Sequence, residues 1–115
     1  MDIKIIATYN EDGNSKRDEL CGTFENNRII YTDDAKVIID LDNKIVTRER
    51  SENYKVELDF NNSRCRVYIK EANDYLEIAM HVLKYEHKDN KLTFEYYFEN
   101  SSENILGGII EYKNM

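Results

Sequence analysis

Apolar and polar residues change places at every second position along most of this chain. Between Lys36 and Lys70 the rhythm predicts four strands, Lys36–Leu41, Lys44–Arg50, Tyr54–Phe60 and Arg64–Lys70. Asp42-Asn43, Ser51-Glu52-Asn53 and Asn61-Asn62-Ser63 supply the turns between them. A period of two is that of a strand with one face in a core and one in water. The inward set is Val37, Ile39 and Leu41, then Tyr54, Val56, Leu58 and Phe60, then Cys65, Val67 and Ile69. Lys55, Glu57 and Asp59 oppose Arg64, Arg66, Tyr68 and Lys70 on the other face, where opposite charges on neighbouring strands form a solvated ladder.

The flanks repeat this pattern. Ile3, Ile5, Ala7 and Tyr9 alternate up to Asp12-Gly13, the strongest hairpin signal in the sequence. Lys16 to Phe24 returns, with Leu20, Gly22 and Phe24 on one face, and Gly22 suggests a bulge or tight bend. Asn26-Asn27 leads into Arg28–Thr32, and Asp33-Asp34 into the central strands. Glu71 to Lys88 fits two periods. Leu76, Ile78, Met80 and Val82 make a strand face, whereas Tyr75, Ile78, Ala79, Val82 and Tyr85 make a helical stripe. Strands on both sides favour a strand here. Lys91–Asn100 alternates Leu92, Phe94, Tyr96 and Phe98 with polar positions, and Ile105 to Tyr112 follows, with Gly107-Gly108 allowing a bend.

Eight to ten strands with such short links must pair with their sequence neighbours, antiparallel. A sheet this long closes on itself, which also removes its edges. The expected fold is therefore all-β: one antiparallel up-and-down barrel over residues 1–115.

Composition narrows the function. At 115 residues the chain makes one domain with one core. A net charge of −7 disfavours binding to nucleic acid or to an anionic membrane, whose affinity comes from Lys and Arg. No apolar run approaches the roughly 18 residues of a membrane helix, and Met1-Asp2-Ile3-Lys4 lacks the layout of an export signal. A cytoplasmic location is expected, with Cys21 and Cys65 as free thiols.

Arg50 standing ten residues before Phe60, Tyr68 ahead of a turn, and the strand Leu92-Thr93-Phe94-Glu95-Tyr96 together resemble the YwiB-like proteins, a bacterial family of unknown function. The resemblance runs over most of the chain and best from about Asp34 onward. It implies a calycin-type barrel, lipocalin-like in architecture, and a strand after Glu71. The chain departs from the family at Ala72-Asn73-Asp74, where a Tyr-Gly or Phe-Gly pair is usual.

No catalytic, cofactor or metal motif stands out. Glu77 and His81 would meet on a helix but stand about 13 Å apart on a strand, too far to share a metal ion. The candidates are instead for binding. Tyr31, Arg50, Tyr54 and Tyr96 are the ligand-binding candidates, tyrosines turned into a barrel and an arginine at its rim. Arg48 and Arg66, in a local basic cluster with Arg50, are the candidates for meeting an acidic protein partner. The expected function is a non-enzymatic module holding a small apolar or amphipathic ligand in the barrel, with protein–protein interaction through a basic rim as the rival.

Overall fold

The strands fall where the alternation puts them. The computed structural model describes all 115 residues and contains ten strands. They are β1 (Asp2–Glu11), β2 (Asn14–Glu25), β3 (Arg28–Thr32), β4 (Lys36–Asp40) and β5 (Ile45–Ser51), followed by β6 (Tyr54–Asp59), β7 (Arg64–Ile69), β8 (Asp74–Lys88), β9 (Lys91–Phe98) and β10 (Leu106–Asn114). Each pairs antiparallel with its sequence neighbour, and β1 pairs with β10 as well as β2, so the barrel is closed. No helix is long and apolar enough to cross a membrane.

Turn chemistry fixes the reversals. Asp12-Gly13, Asn26-Asn27 and Asp89-Asn90 have positive φ at both residues, as the tight hairpins that match strand twist require. Two turns are copies of each other. Asp40 accepts hydrogen bonds from the Asp42 and Asn43 amides and the Asn43 side chain, and Asp59 does the same for Asn61 and Asn62. Each turn ends on a left-handed residue, Lys44 or Ser63. Asp59 is thus not part of the solvated ladder: it is 5% exposed, folded back over its own turn.

The strand from Glu71 onward is β8, entered through a single 3-10 turn at Lys70–Ala72 with Asn73 left-handed. Both of its periods have a cause. Its register against β9 slips between Val82 and Lys84, leaving Leu83 as an unpaired bulge residue. Val82 and Tyr85, opposite Tyr96 and Phe94, therefore share the inner face three positions apart, the spacing of a helix.

Register carries the inner face around the barrel. At the lower end, with the Asn26, Asp42, Asn61 and Asp89 turns, Ile3, Ile5, Ile29, Ile39, Leu92 and Ile110 are fully buried. Phe60 lies 5.2 Å from both the Tyr85 and Phe94 rings and 5.7 Å from Tyr96, an aromatic plug across the barrel. Cys65 is buried behind it and Cys21 is exposed, both as free thiols.

The strands do not all pair along their full length. β2 meets β3 only from Gly22 to Glu25, and β8 meets β7 through Asp74–Ala79 but β9 through Met80–Lys88. The wall is continuous at the waist and splayed at the upper end. Gly22 marks one handover, and of the bulge or tight bend expected there the bulge is absent, since its register to Ile3 and to Tyr31 is unbroken. What it provides is closeness: a Cβ there would sit 2.4 Å from the Ile30 carbonyl oxygen and 2.7 Å from Ile5 Cδ1. We expect Gly22→Ala to destabilise the barrel by about 1–3 kcal/mol, the usual cost of overpacking, read as a lowered urea midpoint at unchanged slope. An unaltered midpoint would refute that account of the handover.

Candidate functional site

Alternation does not stop where the apolar residues run out. In β1 the inward series Ile3, Ile5, Ala7, Tyr9 continues to Glu11, and in β2 the partners of Ala7 and Tyr9 are Asp18 and Lys16. In β5, Arg48 lies between Val37 of β4 and Val56 of β6, both inward. The upper half of the barrel is therefore lined on one side by charged side chains. Polar residues at core-facing positions need either partners or an opening.

Here they have both. A cavity of about 460 Å³ opens at the upper end, beside the stretch where β2 has no β3 neighbour. Val46, Leu58, Phe94, Tyr96 and Leu106 form its apolar floor. Glu11, Lys16, Asp18, Asp33, Asp34, Arg48 and Arg50 form its charged wall, with Tyr9 between the two.

The charged wall is organised around Arg48. Its Nη2 donates to Asp33 Oδ1 at 3.2 Å and to Asp34 Oδ1 at 3.0 Å, and its guanidinium lies 5.2 Å from the centre of the Tyr9 ring. Tyr9 in turn hydrogen-bonds the Tyr31 hydroxyl. Asp33 is itself held in a turn by accepting the Ala35 amide. The Arg48 side chain is 22% exposed and that of Asp33 10%, so this is a shielded pair. Burial pulls the Arg48 guanidinium toward neutrality, but Tyr9, Asp33, Tyr31 and Asp34 outweigh it and raise its pKa. The adjoining Asp33 carboxyl, together with Arg48 and Arg50, holds the Asp34 carboxyl below its ordinary value. Lys16 and Asp18 pair at 3.8 Å.

Tyr9, Tyr31 and Tyr96 all have raised pKa values, mainly because burial penalises the phenolate. For Tyr31 the neighbouring Tyr9 adds to this, and for Tyr96 so do Cys65 and Glu11. Tyr96 lines the cavity, and no protein group hydrogen-bonds its hydroxyl.

The candidates named from sequence separate into distinct places. Arg50 and Tyr96 line the cavity. Tyr31 is 3% exposed and stands behind Tyr9 as its support, outside the cavity lining. Tyr54 is corrected: at the upper tip of β6 opposite Ile69 it is 39% exposed and takes no part in the cavity lining. Arg48 is corrected too. Its register puts it inside the barrel with Asp33, whereas Arg66 is outside, paired with Glu57 at 3.7 Å and Glu77 at 3.1 Å. Arg48, Arg50 and Arg66 therefore share no common face. Glu77 stands with Arg64 and Arg66 while His81 stacks on Tyr97, so the two do not meet.

Sequence reasoning passed over Tyr9, Glu11, Lys16, Asp18, Asp33 and Asp34. The signal was present: Glu11, Lys16 and Asp18 share the parity of the core residues in their own strands. No family model, no curated protein and no solved structure matches the chain, so the site rests on its own geometry.

Two outcomes check this description. Arg48→Ala leaves the shielded Asp33 carboxylate without its cation and Tyr9 without the guanidinium over its ring, and should cost about 2 kcal/mol, while Arg50→Ala should stay within about 0.5 kcal/mol; equal urea midpoints would contradict the central place of Arg48. Buried tyrosines also set the response to alkali. Their folded pKa values lie above the 10.0 of an unfolded tyrosine, so above pH 10 the unfolded chain sheds protons that the folded chain keeps. Stability should hold up to that pH and fall beyond it. In a titration followed at 295 nm, the last tyrosines should ionise together with loss of the far-ultraviolet strand signal, not before it.

Proposed function

We propose that this chain is a non-enzymatic binding module of the calycin type, cytoplasmic, and akin to the YwiB-like proteins it resembles. Its ligand is a small amphipathic molecule held in the upper cavity. One observation carries the reading: a closed barrel that is plugged from its lower end by Phe60 and its aromatic neighbours yet keeps a cavity of about 460 Å³ above them. That volume lies in the range of roughly 300–1,000 Å³ typical of small-molecule sites. The apolar floor and charged wall are what an amphipathic guest requires, and the Tyr96 hydroxyl supplies an oriented polar contact.

Binding rather than catalysis is favoured by how the charged groups are arranged. Arg48 is tied to Asp33 and Asp34, and Lys16 to Asp18, so these groups hold one another instead of converging on a reacting atom. A docking role for Arg48, Arg50 and Arg66 would need one surface, which their placement does not provide.

The test is a titration with anilinonaphthalene sulfonate, an amphipathic dye, followed by fluorescence and by native mass spectrometry. Saturable one-to-one binding with a micromolar Kd is expected, and Leu106→Trp, which fills the cavity from its wall, should weaken it at least tenfold. Absence of saturable binding, or binding indifferent to the filled cavity, would overturn the proposal.

A further inference from the structure

Two of the charged groups on the cavity wall have no partner. Arg48 has Asp33 and Asp34, and Lys16 has Asp18, but neither Arg50 nor Glu11 is in an ion pair or a side-chain hydrogen bond. They have opposite signs and stand on different sides of the same mouth. Glu11 ends β1 opposite Leu106 and acts electrostatically on Tyr96, whereas Arg50 stands at the register shift between Glu49 and Ser51 near the end of β5 and acts on Asp34. The wall as a whole cannot favour a single sign. Its four carboxylates and three cations leave it near neutral, so a purely anionic head would face surplus carboxylates and a purely cationic one would face Arg50.

Building on the cavity reading above, we infer that the ligand is zwitterionic: a small molecule with an apolar body, its anionic group on Arg50 and its cationic group on Glu11. A guanidinium fork suits a carboxylate, and a carboxylate accepts from an ammonium. The body rests on Phe94, Leu58 and Val46. Free amino acids with large apolar side chains belong to this chemical class. The charge arrangement also ranks guests: a ligand lacking either group, an anionic dye included, binds but less tightly, because it leaves one wall charge unpaired.

The chain contains no tryptophan, which allows a direct test with matched indoles. Tryptophan, indole-3-propionate and tryptamine share one body and differ only in the head: both charges, the negative one, the positive one. Indole fluorescence excited at 295 nm reports each titration. Tryptophan should bind on the order of tenfold more tightly than either of the others. Arg50→Gln should bring tryptophan down to the level of tryptamine, and Glu11→Gln should bring it down to the level of indole-3-propionate. Both side chains are exposed, and an unchanged thermal midpoint verifies that the variants fold. Three equal affinities, or a preference that survives both variants, would overturn the zwitterion inference and leave the cavity reading standing. Binding of none of the three overturns it as well, and the dye titration then separates the cases: dye still bound keeps the cavity reading, and dye unbound removes both.

Discussion

β1 hydrogen-bonds β2 along one edge from Asp2 to Glu11 and β10 along the other from Ile3 to Glu11, so one strand joins the beginning of the chain to its end. Without that double pairing the sheet would have two open margins, and Ile3, Ile5 and Ala7 would lie on an exposed face instead of fully buried. Closure makes inside and outside an absolute distinction for every residue in the wall. A single slip of register would turn a whole strand over, so the arrangement of the charged wall is inherited from the same pairing that makes the core.

The inner face is apolar below and mixed above, and the mixed part is held by a chain of contacts running Tyr31, Tyr9, Arg48, Asp33 and Asp34. Each member comes from β1, β3, β5 or the β3–β4 turn, so the contacts tie together strands that lie apart in the barrel wall. An arginine is suited to the central position. Its flat guanidinium can cover an aromatic ring and still offer edge donors to two carboxylates, which a lysine cannot do. These contacts fix the side chains of the cavity wall in one arrangement.

Much of this was legible before any coordinates. Eight to ten strands, their order, their antiparallel sense and the closed wall follow from alternation and from short turns, and the structure has ten; the tight hairpins at Asp12-Gly13, Asn26-Asn27 and Asp89-Asn90 stand where those dipeptides stand. The helix-like reading of β8 had a real source in the Leu83 bulge, which spaces Val82 and Tyr85 as a helix would. The site was less legible, for a physical reason. Polar residues near a strand end read equally well as loop, as solvated face or as cavity wall, and only register distinguishes them. Arg48 is the clearest case: its neighbours in sequence suggest a basic cluster, but its neighbours across the sheet, Val37 and Val56, place it inside. Tyr54 shows the converse. It keeps the inward parity, yet it stands at the strand tip beyond the height of the core, where parity no longer implies burial.

Turn composition explains why the barrel is closed at one end and open at the other. The two copied turns at the lower end each begin Asp-apolar, Asp40-Leu41 and Asp59-Phe60, and in each the aspartate ties down the backbone of the turn. The apolar residue that follows is then free to pack inward: Phe60 is 6% exposed within the aromatic plug, and Leu41 packs against the core. The Phe60 amide donates to the Lys44 carbonyl, so the two turns brace each other across that end. Three of the five upper connections carry Asp12-Gly13, Asp33-Asp34 and Glu52-Asn53, with no large apolar side chain to turn over the opening. One end is therefore stoppered by its own turns and the other is left wet. The charged wall stands at the wet end, where water can solvate Glu11 and Arg50.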